Sequence, residues 1–205
     1  MTYDLNVLLS ECERLHGHIC AGQVLGVRMA LLGCRLSDVP DPRGVDRKKL
    51  IVWVEIDRCM TDAVSAVTGV RLGKRSLKYF DYGKVAATFF NIETQEAWRI
   101  VAMEEARELA DTLYPFIAGK KERQLRAYRE ASDSELFKTE RVIVSYSKAD
   151  EPGRPRSRVI CAQCNEGIND GRELLAMNGN ILCRPCASEG YYQVREFSAG
   201  RCGST

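Results

Sequence analysis

Two groups of residues in this 205-residue chain could do chemistry, and both are built on thiols. The first is Cys161-Ala-Gln-Cys164 and, after eighteen intervening residues, Cys183-Arg-Pro-Cys186. Each Cys-x-x-Cys can put two thiolates on one metal ion, and two such pairs complete the tetrahedral Cys₄ shell that suits Zn²⁺. A closed shell leaves no position for substrate, so the spacing predicts a structural zinc and sends any catalysis elsewhere. The second group is His16-Gly-His18-Ile-Cys20, which holds both histidines of the chain. On an extended segment His18 and Cys20 face one side, and His16 joins them. Cys20 stands at the start of the next helical stretch, where a helix N-terminus favours the thiolate. Gly17 and Gly22 would let backbone approach a ligand. The same residues also fit a loop histidine and a capping histidine beside a buried cysteine, and spacing leaves both readings open. Cys59-Met-Thr-Asp62 is a third group, placed where a strand hands over to a helix, a position at which ligands bind in open α/β layers. Its alternative is a small core cysteine and an N-terminal helix carboxylate. Cys59 and Asp62 are the candidate catalytic residues, with Asp62 as a base beside a metal-activated water. Gly69-Val-Arg-Leu-Gly73-Lys74-Arg75 is one residue short of the Walker spacing and lacks its Ser or Thr, so it is not a nucleoside-triphosphate loop.

These groups need elements to carry them. Leu5, Leu8, Leu9, Cys12 and Leu15 recur at helical spacing, so residues 4–15 read as an amphipathic helix leading into the histidines. Residues 23–32 read as a second, largely buried helix with Gly33 at its end. Residues 37–49 read as a loop, 50–56 as a strong strand, and 60–68 as a helix that stops at Gly69. Strands over 77–80 and 85–90 read as a hairpin turned by Asp81-Tyr-Gly-Lys84. Residues 94–131, rich in Glu, Ala, Arg and Leu, read as one long helix broken near Pro115 and Gly119. Ser132 with Glu135, or Ser134 alone, caps a short turn, and 141–146 is a further strand. Pro152, Gly153 and Pro155 among charges mark a linker. Beyond it, residues 174–177 and Ile181-Leu182 around Asn178-Gly179-Asn180 form a hairpin between the two cysteine pairs.

Composition narrows the function classes. A net charge of +2 and a pI near 8.1 give no polyanion-binding surface as a whole. From residue 151 onward, seven arginines and no lysine face six carboxylates, and four thiolates on Zn²⁺ turn that balance negative. That argues against nucleic acid as the partner of the ribbon. Arg154, Arg156 and Arg158 read as solvated linker charges. No apolar run approaches a membrane span, and the first residues lack the basic and apolar regions of a secretion signal. Nine cysteines cannot all pair internally, and their metal-ligand spacing favours a reducing, cytoplasmic setting over disulfides. Cys12, Cys20, Cys34, Cys59 and Cys202 remain after the ribbon ligands.

His16-Gly-His-Ile-Cys-Ala-Gly22 with Gly26-Val-Arg28, then Val54-Glu-Ile-Asp-Arg-Cys59-Met-Thr-Asp62-Ala63, Thr68-Gly69, Gly73-Lys74 and Asp81-Tyr-Gly-Lys84, resemble the ordered motifs of the FmdE family over roughly residues 10–90. That family takes its name from formylmethanofuran dehydrogenase. The chain departs from the family pattern at Ala21, where Pro is usual, and near Ser65, where Gln is usual. The terminal Cys₄ segment resembles the DksA/TraR-type zinc finger. The resemblance implies an α+β core with a groove holding His18, Cys20, Cys59 and Asp62 around a transition metal, zinc or another, and a homodimer. It also implies association with a molybdenum or tungsten oxidoreductase. The expected organisation is a mixed helix/antiparallel-sheet core over 1–147, a linker over 148–158 and a zinc ribbon over 159–205. The expected core ligands are His18, Cys20 and Cys59, with His16 ranked behind them as an orienting group. The expected function is an accessory or cofactor-handling partner of such an oxidoreductase. The competing classes are a metal-dependent enzyme with an open coordination position and a ribbon regulator that binds polymerase or nucleic acid. The residues leave open whether a reaction is catalysed.

Overall fold

Asp4 starts the first helix, α1 (Leu5–His16), by accepting a 2.7 Å hydrogen bond from the Asn6 N–H. Leu8, Leu9 and Cys12 form its buried face, and Gly17 ends it in the left-handed region at φ 91°. The computed structural model in which this is seen describes residues 4–193; Cys202 lies outside them. α2 (Ala21–Leu36) follows and buries most of its length. It runs straight past Gly33, which is not the stop that the sequence suggested. A Cβ at Gly33 would lie 2.3 Å from the Phe89 ring, so the missing side chain serves close packing of helix on sheet. Gly33→Ala is therefore expected to cost about 1–3 kcal/mol by overpacking. A lower urea midpoint at unchanged slope would show it, and an unchanged midpoint would refute it.

The sheet holds β1 (Leu50–Val54), β2 (Leu77–Tyr79), β3 (Ala86–Asn91), β4 (Ala97–Ala102) and β5 (Phe137–Arg141) in the order β2-β1-β3-β4-β5. Alternation along β1 sends Leu50, Val52 and Val54 to the helical side and Ile51 and Trp53 to the other. The hairpin expected across 77–90 does not form. β2 pairs parallel with β1 (Val52↔Leu77), and β3 pairs antiparallel on the other side of β1 (Trp53↔Thr88). The intervening segment crosses the end of β1 instead of turning. Phe80 N–H bonds the Val54 carbonyl at 3.0 Å, and Tyr82 and Lys84 N–H bond the Glu55 carbonyl at 3.2 and 3.1 Å.

The long helix expected over 94–131 is likewise corrected. Residues 97–102 are β4, where Phe89 pairs with Trp98 and Ile100 is fully buried. The β-prone Trp98-Arg-Ile-Val101 was submerged in a window of good helix formers. α3 (Cys59–Thr68) ends at Gly69, φ 72°, as expected. α4 (Glu105–Leu113) and α5 (Lys120–Glu130) are separate helices, with Pro115 and Gly119 between them. α6 (Asp133–Leu136) is the short turn, boxed by Ser132 and Glu135. The last strand of this sheet begins at Phe137 and ends at Arg141, earlier than the expected 141–146. Val142, Val144 and Tyr146 instead cover Ile51, Phe90 and Ala97 on the face away from the helices.

Arg28 ties α2 to the end of α5. It donates to the carbonyls of Tyr128, Arg129 and Ala131 at 3.0, 3.2 and 2.9 Å and to Asp133 at 2.7 Å. A guanidinium thus satisfies the orphan carbonyls at a helix C-terminus. That gives the arginine of the Gly26-Val-Arg28 motif a structural role.

The chain divides into two compact units, the first reaching Tyr146 and including 151–153, the second including 147–150 and the described residues from 154. In the second unit β6 (Arg158–Ile160) pairs with β7 (Gly167–Asn169), and β8 (Leu174–Leu175) pairs with β9 (Ile181–Leu182), both antiparallel. The expected turn between β8 and β9 is present, with Gly179 at φ 81°. The fold is α+β with open sheets. No helix among the described residues is long and apolar enough to cross a membrane.

Candidate metal centres

In the second unit, ligand atoms of Cys161, Cys164, Cys183 and Cys186 all lie within 4.8 Å of one another. The Sγ atoms of Cys164 and Cys183 are 3.8 Å apart. That matches the edge of a tetrahedron with metal–sulfur bonds of about 2.3 Å, roughly 3.8 Å. The backbone prepares the site. The Asn165 N–H bonds the Cys161 carbonyl at 3.0 Å and closes the Cys-x-x-Cys turn, and Asn165 itself takes a left-handed φ of 60°. The Ala162 N–H bonds the Ile181 carbonyl at 2.8 Å and ties this turn to β9. The Cys183 N–H donates to Cys161 Sγ at 3.3 Å. N–H groups of Cys164 and then Cys183 bring the Cys161 thiol down to about 6, so a thiolate forms readily at neutral pH. The donor set and its spacing fit Zn²⁺.

In the first unit three ligand atoms also gather within 4.8 Å, those of His16, Cys20 and Cys59. Cys20 and Cys59 each sit at a helix start, as N-cap of α2 and as first residue of α3. Two glycines allow the approach. A Cβ at Gly26 would stand 2.6 Å from the Met60 carbonyl oxygen, and one at Gly22 would stand 3.4 Å from Cys59 Cβ. The α2–α3 crossing is thus close because Gly26 has no side chain. Gln23, fully buried, accepts from the Cys20 N–H at 3.3 Å and donates to the Cys12 carbonyl at 3.2 Å. It locks the Cys20 turn to α1. Sequence reasoning passed over Gln23, although a lone amide in an apolar helical run was a signal.

The histidines exchange the ranks that the sequence gave them. His16 supplies the third ligand atom, whereas His18 is exposed and outside the group, its ring 5.0 Å from that of His16. The alternation argument assumed an extended segment, but α1 runs through His16 and Gly17 then turns the chain. Asp62 also changes role. Its carboxylate accepts from His16 Nδ1 at 2.8 Å. That fixes the ring and leaves Nε2 as the free donor, the carboxylate–histidine pairing common behind metal ligands. A cleft of about 390 Å³, lined by His16, Asp57, Arg58, Cys59, Thr61 and Asp62, opens onto the group. Burial, and then the adjacent Cys20 thiol, raise the pKa of Cys59. The Cys59 thiol therefore resists ionisation until a cation neutralises it. An imidazole and two thiols fit a transition ion with a fourth position left open.

Both units match known families. The model described as "FmdE, Molybdenum formylmethanofuran dehydrogenase operon" matches residues 15–140, and that of the prokaryotic dksA/traR C4-type zinc finger matches residues 154–192. A "probable S-adenosyl-L-methionine-binding protein" of Archaeoglobus fulgidus is 34% identical over 102 residues, 49% of this chain but 28% of that protein. The chain therefore spans little more than a quarter of that relative. The crystal structure of a tungsten formylmethanofuran dehydrogenase FmdE-like protein from Syntrophus aciditrophicus has the same fold. It matches with a TM-score of 0.62 at 22% identity, over 94% of this chain and 96% of that one.

Proposed function

This chain belongs to the FmdE family and binds metal, and we propose that it serves a molybdenum or tungsten oxidoreductase as an accessory or cofactor-handling partner. The observation that carries this reading is the three-donor group of His16, Cys20 and Cys59 in an open cleft. A structural ion would be enclosed by four ligands, whereas this site keeps one side for something brought to it. A bound ion would supply a Lewis-acid position there. His16 would orient it through Asp62, and Gln23 would hold the Cys20 turn in place. Catalysis with Asp62 as base is disfavoured, because that carboxylate is already engaged by His16. The proposal includes a homodimer in the cytoplasm and a transition ion, zinc or another, in the core.

Metal analysis of the purified full chain tests the site. Two ions per chain are expected, and Cys59→Ser should retain only the ribbon ion. A Cys59→Ser protein with both ions would remove Cys59 from the ligands. Affinity purification from the native cell tests the role. Components of a molybdenum or tungsten oxidoreductase should accompany the wild type and be depleted with His16→Ala. Their absence from the wild-type sample would refute the accessory reading.

A further inference from the structure

Five cations share one cleft of the first unit, and none of its lining residues is a carboxylate. The cleft, about 420 Å³, is walled by Arg43, Arg47 and Lys48 from the turn after α2 and by Arg71 and Lys74 from the loop after α3, with Ser76 beside them. A chain of net charge +2 has no general excess to account for this. Concave clefts of one sign focus potential on an incoming counter-ion.

Both walls are loops closed on themselves, and the closure decides which charges face out. In the first, the Asp41 carboxylate accepts from the N–H groups of Gly44 and Val45, each at 3.1 Å. Asp46 accepts from the Asp41 N–H at 3.0 Å and pairs with Lys49 at 3.1 Å. The acids of this turn are thus consumed by its own backbone and by Lys49. In the second, the Lys74 and Leu77 N–H groups both bond the Arg71 carbonyl at 3.2 Å, and the Arg71 N–H donates to Ser76 Oγ at 3.1 Å. The buried Ser76 hydroxyl accepts that bond and keeps its proton to donate. Arg43 is matched by Glu11 at 2.5 Å, while Arg47 gives one guanidinium nitrogen to the Gly44 carbonyl and Arg71 gives one to the Ser65 and Val70 carbonyls, so four of the cleft's positive charges face no carboxylate and keep N–H groups for an incoming anion. One phosphate carries about −1.5 to −2 at neutral pH, too little to balance four. Two linked phosphates come closer, and guanidinium forks suit their oxygens.

We propose that this cleft binds the diphosphate group of a small phosphorylated ligand. Recognition is by side chains on two loops braced by their own hydrogen bonds, unlike the backbone cradle of a Walker loop. The site shares no lining residue with the metal cleft. Cys59 opens α3 and Gly69 closes it, so the two sites lie at opposite ends of a ten-residue helix about 15 Å long. The proposal holds whether or not the core binds metal.

Calorimetry of the full chain at near-physiological salt, with inorganic pyrophosphate as probe, tests it. Saturable binding of one pyrophosphate per chain is expected, at least roughly tenfold tighter than orthophosphate. Arg47→Gln with Lys74→Gln should weaken it by roughly tenfold or more, while Lys120→Gln with Lys121→Gln, both exposed at the start of α5, should not. If the first double variant melts early, arylglyoxal labelling of Arg47 and Arg71 in the wild type decides instead, since pyrophosphate should protect both. No saturable binding, equal affinity in the folded cleft variant, or absence of protection would overturn the proposal. Tighter binding of a single-stranded oligonucleotide than of pyrophosphate would also overturn it, in favour of a nucleic-acid surface.

Discussion

Cys183→Ser is expected to release the ribbon zinc and unfold the segment around β6–β9, while the first unit keeps its fold. The reason is the scarcity of core. Cys161 and Ile168 are the only buried apolar residues among the described residues of the second unit, and one of them is itself a ligand. The first unit, by contrast, packs Phe89, Met29, Leu50, Ile100 and many others into a continuous cluster. Two paired β-strand ribbons without a core are marginal in water. Metal binding is worth about 10–16 kcal/mol in finger peptides and would supply most of the folding free energy here. Limited proteolysis should cut the mutant between residues 154 and 192 at protease levels the wild type resists, with the zinc content lower by one ion. A mutant with full zinc and equal resistance would show that Cys183 is no ligand.

How much of this was legible in the sequence depended on whether a signal was local. The ribbon was, because Cys-x-x-Cys spacing and the Asn-Gly-Asn turn lie within one short stretch and no other part of the chain alters what they mean. Helices α1 and α3 were, through their periodicity and, for α3, the glycine that ends it. Strand pairing was not. Nothing between Leu77 and Phe90 records that the bonds of Phe80, Tyr82 and Lys84 go to the end of β1 rather than across a turn. β4 was lost to averaging, since a window of 94–131 dilutes the β-prone Trp98, Ile100 and Val101. Gly33 was misread as a stop because only the Phe89 ring, brought up by the sheet, explains it. The core site was half legible. Cys20 and Cys59 stood out by type and by their places at helix starts. The choice between His16 and His18 rested on which residue ends α1, an uncertainty of a residue or two that decides which ring points at the thiols.

Alkylation of the chelated chain should divide its core cysteines into two classes, two buried thiols that stay almost unlabelled at neutral pH and two that respond to metal. Cys12 and Cys34 are buried, and burial pushes their thiols to about 11 and about 12 from an ordinary 9.0. Thiolate falls tenfold for each pH unit below the pKa, so at neutral pH they should react about a hundred and a thousand times more slowly than an ordinary thiol. These protons are held more tightly in the folded than in the unfolded chain. Their contribution to stability is therefore whole below the unfolded value of 9.0 and is lost as pH rises through about 11 and about 12. Cys20 and Cys59 are half-buried, and Cys59 lines an open cleft. A helix start by itself favours a thiolate, but burial and the neighbouring Cys20 raise the pKa of Cys59. Its labelling without metal should therefore be modest at neutral pH and rise as the pH is raised. Added Zn²⁺ should suppress Cys20 and Cys59 together and leave the other two unchanged, because a coordinated thiolate is a weak nucleophile while a buried thiol gains nothing from the ion. Mass-spectrometric mapping reads all four positions in one experiment. Equal, slow labelling of Cys20 and Cys59 with and without Zn²⁺ would make them packing residues, and the three-donor group would then be an accident of two helix starts meeting at Gly22 and Gly26.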